Sequence, residues 1–505
     1  MILAPVWERL GIRKALRKIQ AQHAIKFPLE RLVFGMVLNR IVDPMSKMAC
    51  NEWLRDTAFF PEWEKKWDVS HFYRALDLLE MHWSEIEQAL YEELWKRTSP
   101  ELRAAWLTDT SSMYFEARMD DVERAEIAAE WAAFDAGIGK EPLHPRPQVV
   151  NDPPMRMQGH NKDGHPGDPQ VVVASVCLAN GLVLRHRVYP GNTNDQTIAK
   201  DLITTLPAPP DVAQIWVSDG GMASGPRLRE LDEMGWYRLT ADPPRSNEFV
   251  MAEIISRSGR YIQHPTKPQF SFRIVDIPAA QSPSGKDERF LVVRNSRDRD
   301  RQLKQVEKHL GRIKEALAKR EPDGTHSKAV CKLVSHPSLK RYVEPSERVA
   351  GRYVLSNDAV RREQLLAGTR VYRTTVHDRD PVEMFDSYQL LQAVEANHKE
   401  MKGPLRLRPR YHRAGHRIRA HVMIVILAVN CVRVLEAETG RLISDLRRLF
   451  TALKATEVGQ GGKRQWMRTE LTDDHRNVLA KLDLSVPPQT WAMWSDATSK
   501  GAMVC

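Results

Sequence analysis

Four short segments within residues 105–219 constrain the fold of this chain most strongly. Each is rich in β-branched and aromatic residues: WLTDTSSMYFEA, QVVVASVCLA, LVLRHRVYPG and AQIWVSDG. Such runs, bounded by residues that favour turns, are typical of β-strands. The pattern DQTIAKDLITTL, which is helical in its spacing, stands between the third and the fourth run. The order strand, strand, strand, helix, strand predicts an α/β sheet.

Two aspartates lie at prominent positions of this predicted sheet. Asp109 stands on the first strand between Thr108 and Thr110, and Asp219 follows the fourth strand ahead of a Gly-Gly pair. Taken singly, an aspartate at a strand end is more often a cap or a turn residue. However, open α/β sheets place their ligands at the carboxyl ends of their strands. The order of elements describes the start of a ribonuclease-H-like core with both aspartates on it.

A third acid lies in the segment YQLLQAVEANHKEMK at residues 388–402. Glu395 is seven residues from both Tyr388 and Lys402, about two helical turns in each direction, so one helix would project all three to one side. The alternative is a solvated ion pair of Glu395 with Lys399 at i+4. Hard divalent ions prefer carboxylate ligands, so three acids on separate elements predict metal-dependent chemistry on a phosphate backbone.

An arginine-rich run, LRLRPRYHRAGHRIRAH, follows this predicted helix. Lys plus Arg outnumber Asp plus Glu by 75 to 65 in the 505 residues, and the sequence pI is near 9.3. A basic balance favours polyanions, so we interpret the run as a track for nucleic-acid phosphates. Its arginines are Arg406, Arg408, Arg410, Arg413, Arg417 and Arg419.

The chain divides into regions that differ in composition and in predicted secondary structure. Apolar residues recur at helical spacing in the first of them, which predicts a helical region that binds DNA, with a packing domain or a dimer handle as the alternative. Its first candidate DNA contacts are Arg40, Lys47 and Arg74. The predicted regions are 1–98 (helical), 99–244 (core, first part), 245–380 (β-rich insertion with one long helix), 381–450 (core, second part, with the Glu395 helix) and 451–505 (polar tail).

Cysteine usage and hydropathy predict a cytoplasmic protein. The five cysteines, Cys50, Cys177, Cys331, Cys431 and Cys505, are scattered without a CxxC pair, so neither a disulfide framework nor a zinc knuckle is expected. The amino terminus meets charge too early for the apolar core of a signal peptide. The longest apolar run, residues 422–432, is about half of what a bilayer crossing requires.

These motifs together resemble a known family. The chain is similar to bacterial insertion-sequence transposases of the DDE type, and in detail to the sixteen-thirty-four-like branch of insertion-sequence family four. The Tyr-(2)-Arg-(3)-Glu-(6)-Lys signature of the group falls on Tyr388, Leu391, Glu395 and Lys402, with leucine at the arginine position. Gly220 also departs, since an arginine commonly follows the aspartate in the family. The matching motifs are LNRIVDPMSK, LTDTSSMYFE, GHNKDGHPGDPQVVV, YPGNTND, VSDGGM, GRYVLSND and RPRYHRAGHRIRAHV.

The resemblance implies an α/β fold with a ribonuclease-H-like catalytic core, split by a β-rich insertion and preceded by a helical region. It implies that Asp109, Asp219 and Glu395 are the catalytic acids and hold Mg²⁺, with two ions and with Mn²⁺ able to substitute. Tyr388 and Lys402 would contact terminal phosphates. The implied partners are double-stranded DNA at terminal inverted repeats, target DNA, and a second copy in a DNA-bound homodimer. A catalytically inactive DNA-binding relative and a nuclease without strand transfer are the alternatives.

Overall fold

The computed structural model describes residues 1–492 except 61, 62, 64, 65, 118, 148–151, 162, 163, 166, 206–213, 320–327, 350, 351, 408–411, 461 and 462. The chain forms two compact units. Unit 1 consists of Met1–Ile198 and Gln392–Cys505, and unit 2 of Ala199–Leu391. The domain limits expected from the sequence stay predictions.

Helices account for most of the amino-terminal region and recur throughout the chain. They are α1 (Leu3–Arg9), α2 (Ile12–Gln22), α3 (Leu29–Val42), α4 (Lys47–Glu52), α5 (Val69–Met81), α6 (Trp83–Arg97), α7 (Pro100–Arg103), α8 (Asp121–Asp135), α9 (Asp195–Thr205), α10 (Gly225–Glu233), α11 (Ser296–Ala318), α12 (Lys328–Ser335), α13 (Asn357–Leu366), α14 (Pro381–Gln389), α15 (Leu391–Lys402), α16 (Gly415–Thr439), α17 (Ile443–Thr451) and α18 (Asp473–Lys481).

Strands alternate with these helices from Ala105 onward, which confirms a mixed α/β fold. They are β1 (Ala105–Tyr114), β2 (Gln170–Cys177), β3 (Val183–Pro190), β4 (Ile215–Ser218), β5 (Tyr237–Ala241), β6 (Ile262–Gln263), β7 (Phe270–Ile277), β8 (Glu288–Asn295), β9 (Val343–Pro345), β10 (Tyr353–Leu355), β11 (Thr369–Thr374), β12 (Ala455–Gln460), β13 (Lys463–Arg468) and β14 (Thr490–Ala492).

The long helix α16 forms the centre of unit 1. Its residues 422–432 are buried, and the helix packs against α1, α3 and α5. The amide of Asn430 interrupts this apolar run and is satisfied by β3: Oδ1 accepts the N–H of Val183 at 2.8 Å and Nδ2 donates to its carbonyl at 3.0 Å. Among the described residues, α16 alone is long and apolar enough to cross a membrane, but 83% of its apolar window is buried, as in a core helix.

Strands β1, β2 and β3 of unit 1 pair antiparallel in sequence order. Asp109 in the middle of β1 lies opposite Ser175 of β2, which lies opposite His186 of β3. These strands coincide with the first three runs expected from the sequence. The residues of β1 and β2 are buried almost throughout, whereas β3 is buried mainly in its first half; α6 and α16 pack against β3.

Unit 2 is built on strands in the order β4-β5-β11-β8-β7-β6. Strands β4 and β5 are parallel, and the other neighbouring pairs are antiparallel. An ion network is buried inside this sheet. Glu288 on β8 accepts hydrogen bonds from Arg238 on β5 and from Arg373 on β11. Arginines would be strongly unfavourable in the interior without this carboxylate.

Two sequence expectations about secondary structure were wrong. Residues 388–402 are divided between α14, which ends at Gln389, and α15, which begins at Leu391. No Gly or Pro marks this break in the sequence. The tail after residue 450 has more regular structure than its polar composition indicates, because β12, β13 and β14 pair antiparallel and α18 lies between β13 and β14.

Candidate active site

Asp109 stands half-buried on β1 of unit 1, with 26% of its side chain exposed. The neighbouring Thr108 and Thr110 are almost fully buried. The Oδ1 atom of Asp109 accepts the backbone N–H of Thr110 at 2.7 Å. On the other side of the strand, Thr110 Oγ1 donates to Asp195 at 2.9 Å, which joins β1 to the start of α9. The strand is thereby held rigidly where it carries the carboxylate.

Helix α15 presents one face to the interior of unit 1 and the other to solvent. Val394, Asn397, His398 and Met401 are buried, at the i, i+3, i+4, i+7 spacing of a core-facing stripe. Asn397 Nδ2 donates to the carbonyl of Gly181 at 2.7 Å, and its Oδ1 accepts from Arg433 Nε at 2.8 Å. These bonds fix the helix against the β2–β3 turn and α16.

Glu395 lies on the exposed face of α15. Among the described residues its carboxylate has neither a hydrogen bond nor an ion pair, and the alternative pair with Lys399 is not formed. Lys402, on the same helix and also outside the buried stripe, is half-buried. Glu395 and Lys402 thus lie seven residues apart on one helix, and their shared role stays a prediction.

The sequence analysis did not identify His398 as a site residue. Its Nδ1 lies 3.5 Å from Oδ2 of Asp109, so the helix that bears Glu395 contacts the first acid through a buried side chain. A single histidine gives no spacing signal. Its place in the buried stripe of α15, next to Asn397, could have drawn attention to it.

Asp219 belongs to unit 2 and follows β4 directly. Its side chain is exposed, and its Oδ1 accepts the N–H of Gly220 at 2.7 Å. A Cβ atom on Gly220 would lie 2.7 Å from the carbonyl oxygen of Ala241 at the end of β5. This close approach of the backbone to β5 is possible because residue 220 is a glycine. Because Asp219 and the other two acids belong to different units, the triad stays a prediction.

The other signature residues lie on α14 and at the start of α15. Tyr388 packs on Tyr372 of β11, with ring centroids 4.2 Å apart. Leu391, at the usual arginine position, is a buried apolar residue with 8% exposure. It therefore makes no phosphate contact of the kind an arginine could make.

The arginine run divides into two groups. Arg406 and Arg413 are exposed. Arg417 donates through Nε and Nη2 to Asp77 at 2.9 and 3.1 Å, and Arg419 donates to Glu80 at 2.8 Å. The last two therefore dock the start of α16 onto α5. Arg408 and Arg410 lie outside the described residues.

The first candidate DNA contacts of the helical region need correction. Arg40 is buried and donates to the carbonyls of Met45, Leu405 and Arg406, and Lys47 is buried beside His421. Both residues make contacts inside the protein, because the loop after α15 packs against the LNRIVDPMSK motif that contains them. Arg74 is exposed on α5 and remains a candidate.

Two further motifs have structural roles that sequence reasoning did not assign. In YPGNTND, Asn194 caps α9 by accepting the N–H of Thr197 at 2.8 Å. Gln170, at the end of the GHNKDGHPGDPQ loop, donates to the carbonyls of His160 and Gly191. Both motifs hold loops beside β1 and β2.

The acids fit a hard divalent cation in type and in exposure. Asp109 is half-buried, Asp219 and Glu395 are exposed, and oxygen ligands of this kind suit Mg²⁺. Among the residues that the structure describes, no group of three or more His, Cys, Asp or Glu side chains is already arranged to hold a metal ion. The three acids therefore match Mg²⁺ in the type of ligand atom that they offer.

Comparison with known proteins identifies the family to which the chain belongs. Residues 152–431, more than half of the chain, match the family model described as "Transposase DDE domain". The matched range contains Asp219 and Glu395 and begins after Asp109. The protein belongs to the DDE transposase family. Membership implies a nuclease or polynucleotidyl-transferase activity on DNA with a general dependence on divalent metal.

The remaining comparisons add little. A search of curated proteins found no match. Among solved structures, the chain is similar to one described as "Cryo-EM structure of piggyBac transposase synaptic complex with hairpin DNA", with 10% identity and a TM-score of 0.39 over 88% of this chain and 78% of that one.

Proposed function

We propose that this protein cleaves DNA at the ends of an insertion sequence and joins the cut ends to target DNA. In this proposal Asp109, Asp219 and Glu395 are the catalytic acids of a ribonuclease-H-like core split by a β-rich insertion. They hold Mg²⁺, with two ions and with Mn²⁺ able to substitute. A homodimer on DNA would bring two ends together.

The environment of the Glu395 carboxylate is the main observation in support of the proposal. Its helix is fixed by Asn397 and by the pair of Arg433 with Glu400 at 2.6 Å, while the Glu395 carboxylate has no partner among the described residues. A carboxylate held on a rigid element and left unpaired is pre-organised for a cation. The family match supplies the class of reaction, and the contact of His398 with Asp109 supports including the first acid.

The chemistry divides between the metal and the chain. Bound divalent ions would activate the attacking oxygen and stabilise the leaving oxygen of a phosphodiester. The chain supplies the carboxylates that bind these ions and the rigid elements that orient them. The N–H of Thr110 fixes one oxygen of Asp109, and the N–H of Gly220 fixes one oxygen of Asp219. Each of these hydrogen bonds orients a carboxylate.

Contacts with the DNA backbone are proposed for the basic residues around α15. Arg406 and Arg413 are exposed and so can reach phosphates, and Tyr388 and Lys402 are assigned to the terminal phosphates by the signature. Arg408 and Arg410 belong to the same run. Arg417 and Arg419 are less suited, since each already pairs with an acid on α5.

Cleavage assays on the DNA that flanks the coding sequence test the proposal. Asp109→Asn, Asp219→Asn and Glu395→Gln should each abolish cleavage in Mg²⁺ while leaving DNA binding largely intact, because each removes a metal ligand and no basic residue. Glu383→Gln, an exposed acid on α14, is the matched control and should cut normally. Near-normal cutting by any triad variant would remove that residue from the site.

Pre-cut ends separate the proposal from its alternatives. A transposase should join such ends to target DNA in Mg²⁺. Cutting without joining would favour the nuclease alternative. Specific binding by the wild type without either reaction would favour a catalytically inactive relative.

A further inference from the structure

We infer that His398 is a positioning residue that holds the Asp109 carboxylate in the orientation needed for a divalent metal ion. This inference rests on the proposed function of Asp109 as a metal ligand. His398 lies outside the Tyr, Arg, Glu and Lys positions of the signature. Its assignment depends on three features of the structure: its contact, its burial and its helix.

The contact joins His398 to Oδ2 of Asp109, the oxygen that does not accept the N–H of Thr110. Oδ1 of Asp109 accepts the N–H of Thr110, and Nδ1 of His398 lies 3.5 Å from Oδ2. This distance exceeds that of a normal N–H···O bond, so the ring is a close neighbour of Oδ2. Each oxygen of the Asp109 carboxylate therefore has a neighbour: the backbone N–H of Thr110 is next to Oδ1, and the His398 ring is next to Oδ2.

Burial of the ring makes a purely structural role costly. The side chain of His398 is 6% exposed, and its Nε2 is buried without a hydrogen-bond partner among the described residues. An unsatisfied buried polar atom destabilises the folded state, whereas an apolar ring of similar size would fill the space without this cost. Asp109 is therefore the contact that accounts for an imidazole at this position.

The helix links this contact to the second acid of unit 1. His398 follows Glu395 by three residues on α15, and the helix is fixed next to it by the bonds of Asn397. A shift of α15 relative to β1 would move Glu395 and the ring together. His398 thereby relates the position of Asp109 to that of Glu395.

Mn²⁺ binding to the full-length protein without DNA tests the inference, followed by electron paramagnetic resonance. His398→Phe keeps the ring volume and removes both nitrogens. It should weaken Mn²⁺ binding by about tenfold or more, as removal of groups that orient metal ligands does. His398→Asn keeps an N–H near the position of Nδ1 and should bind close to wild type. The free energy of unfolding in EDTA should not fall in the Phe variant, because it removes the unsatisfied Nε2.

The outcomes distinguish a failure of this inference from a failure of the proposed function. Asp109→Asn is titrated in parallel: if it binds Mn²⁺ like wild type, the metal site itself is wrong. If Asp109→Asn loses Mn²⁺ and His398→Phe does not, only the role of His398 is overturned. Equal loss in the Phe and Asn variants also overturns it. Should the Phe variant not fold, His398→Gln, which places its N–H near Nε2, must bind Mn²⁺ more weakly than His398→Asn, and equal binding overturns the inference.

Discussion

The Nζ atom of Lys47 lies 3.5 Å from Nδ1 of His421, and both side chains are buried in unit 1. Burial lowers the pKa of Lys47 to about 7, and the positive charge of Arg40 adds to the effect, while the nearby Cys50 opposes it. Arg40 is held in place by three backbone carbonyls, which include those of Leu405 and Arg406. The LNRIVDPMSK motif therefore supports the loop that follows α15.

Lys47→Met should stabilise the protein at neutral pH and reduce the pH dependence of its stability. The folded pKa of Lys47 is about 7 and the unfolded value is about 10.4, so the unfolded state binds more protons between them and wild-type stability rises with pH there. Urea unfolding between about pH 7 and about pH 8, where the Cys50 thiol is still mostly protonated in both states, measures this rise. Lys14→Met, at an exposed position of α2, should keep the wild-type slope, and an unchanged slope in Lys47→Met would contradict the assignment.

Acid should destabilise the fold through the same cluster. Burial, together with the charges of Lys47 and Arg40, lowers the pKa of His412 to about 3, and the pKa of His421 is lowered in the same direction. Above about pH 6.5 both states are neutral at His412, and below it only the unfolded state gains the proton, so stability falls as pH drops toward 3. His412→Gln should therefore lose less stability than wild type between about pH 7 and about pH 4 in urea titrations.

An exposed histidine provides the control for this acid effect. His336→Gln changes a residue on the surface of unit 2 and should follow the wild-type curve. If His412→Gln and His336→Gln lose the same stability on acidification, the buried cluster is not the source of acid sensitivity.

Some strands could be predicted from local sequence and others could not. Strands β1, β2, β3 and β4 lie in runs rich in β-branched and aromatic residues, so local sequence was sufficient. The segments of β5 and β11, YRLTA and TRVYRT, were not identified as strands; each is short, and local sequence does not reveal that Arg238 and Arg373 are buried. Glu288 makes those positions buried, and it lies at least 50 residues away from either.

The residues of the candidate site could likewise be predicted only where local sequence determines their environment. Asp109, Asp219 and Glu395 could be proposed because acids after strands and at helical spacing follow local rules. His398, Arg40 and Lys47 could not be placed, since their environments depend on contacts between distant segments. Lys47 and Arg40 follow the pattern of exposed residues near a helix boundary, yet α16 and the loop after α15 cover them.

Glu288→Gln should strongly destabilise unit 2. Arg238 and Arg373 are buried around Glu288, and removing its charge leaves two buried cations with less compensation, although Asp232 still pairs with Arg238 at 3.0 Å. Breaking a buried pair costs about 3–5 kcal/mol. Glu248→Gln, whose partner pair with Arg362 is largely exposed, should cost less than about 1 kcal/mol. Hydrogen exchange at the amides of β5, β8 and β11 measures both, and equal protection in the two variants would contradict the prediction.

The salt dependence of DNA binding should separate the two groups of arginines after α15. Arg406→Ala with Arg413→Ala removes exposed charges, so each lost phosphate contact should lower the slope of log K against log salt by up to roughly one unit. Arg417→Ala with Arg419→Ala is the matched control with the same loss of charge. It should leave the slope nearly unchanged and instead weaken the docking of α16 on α5, because these side chains pair with Asp77 and Glu80. A lower slope in the second pair alone would mean that DNA displaces those acids and that the track runs along α16.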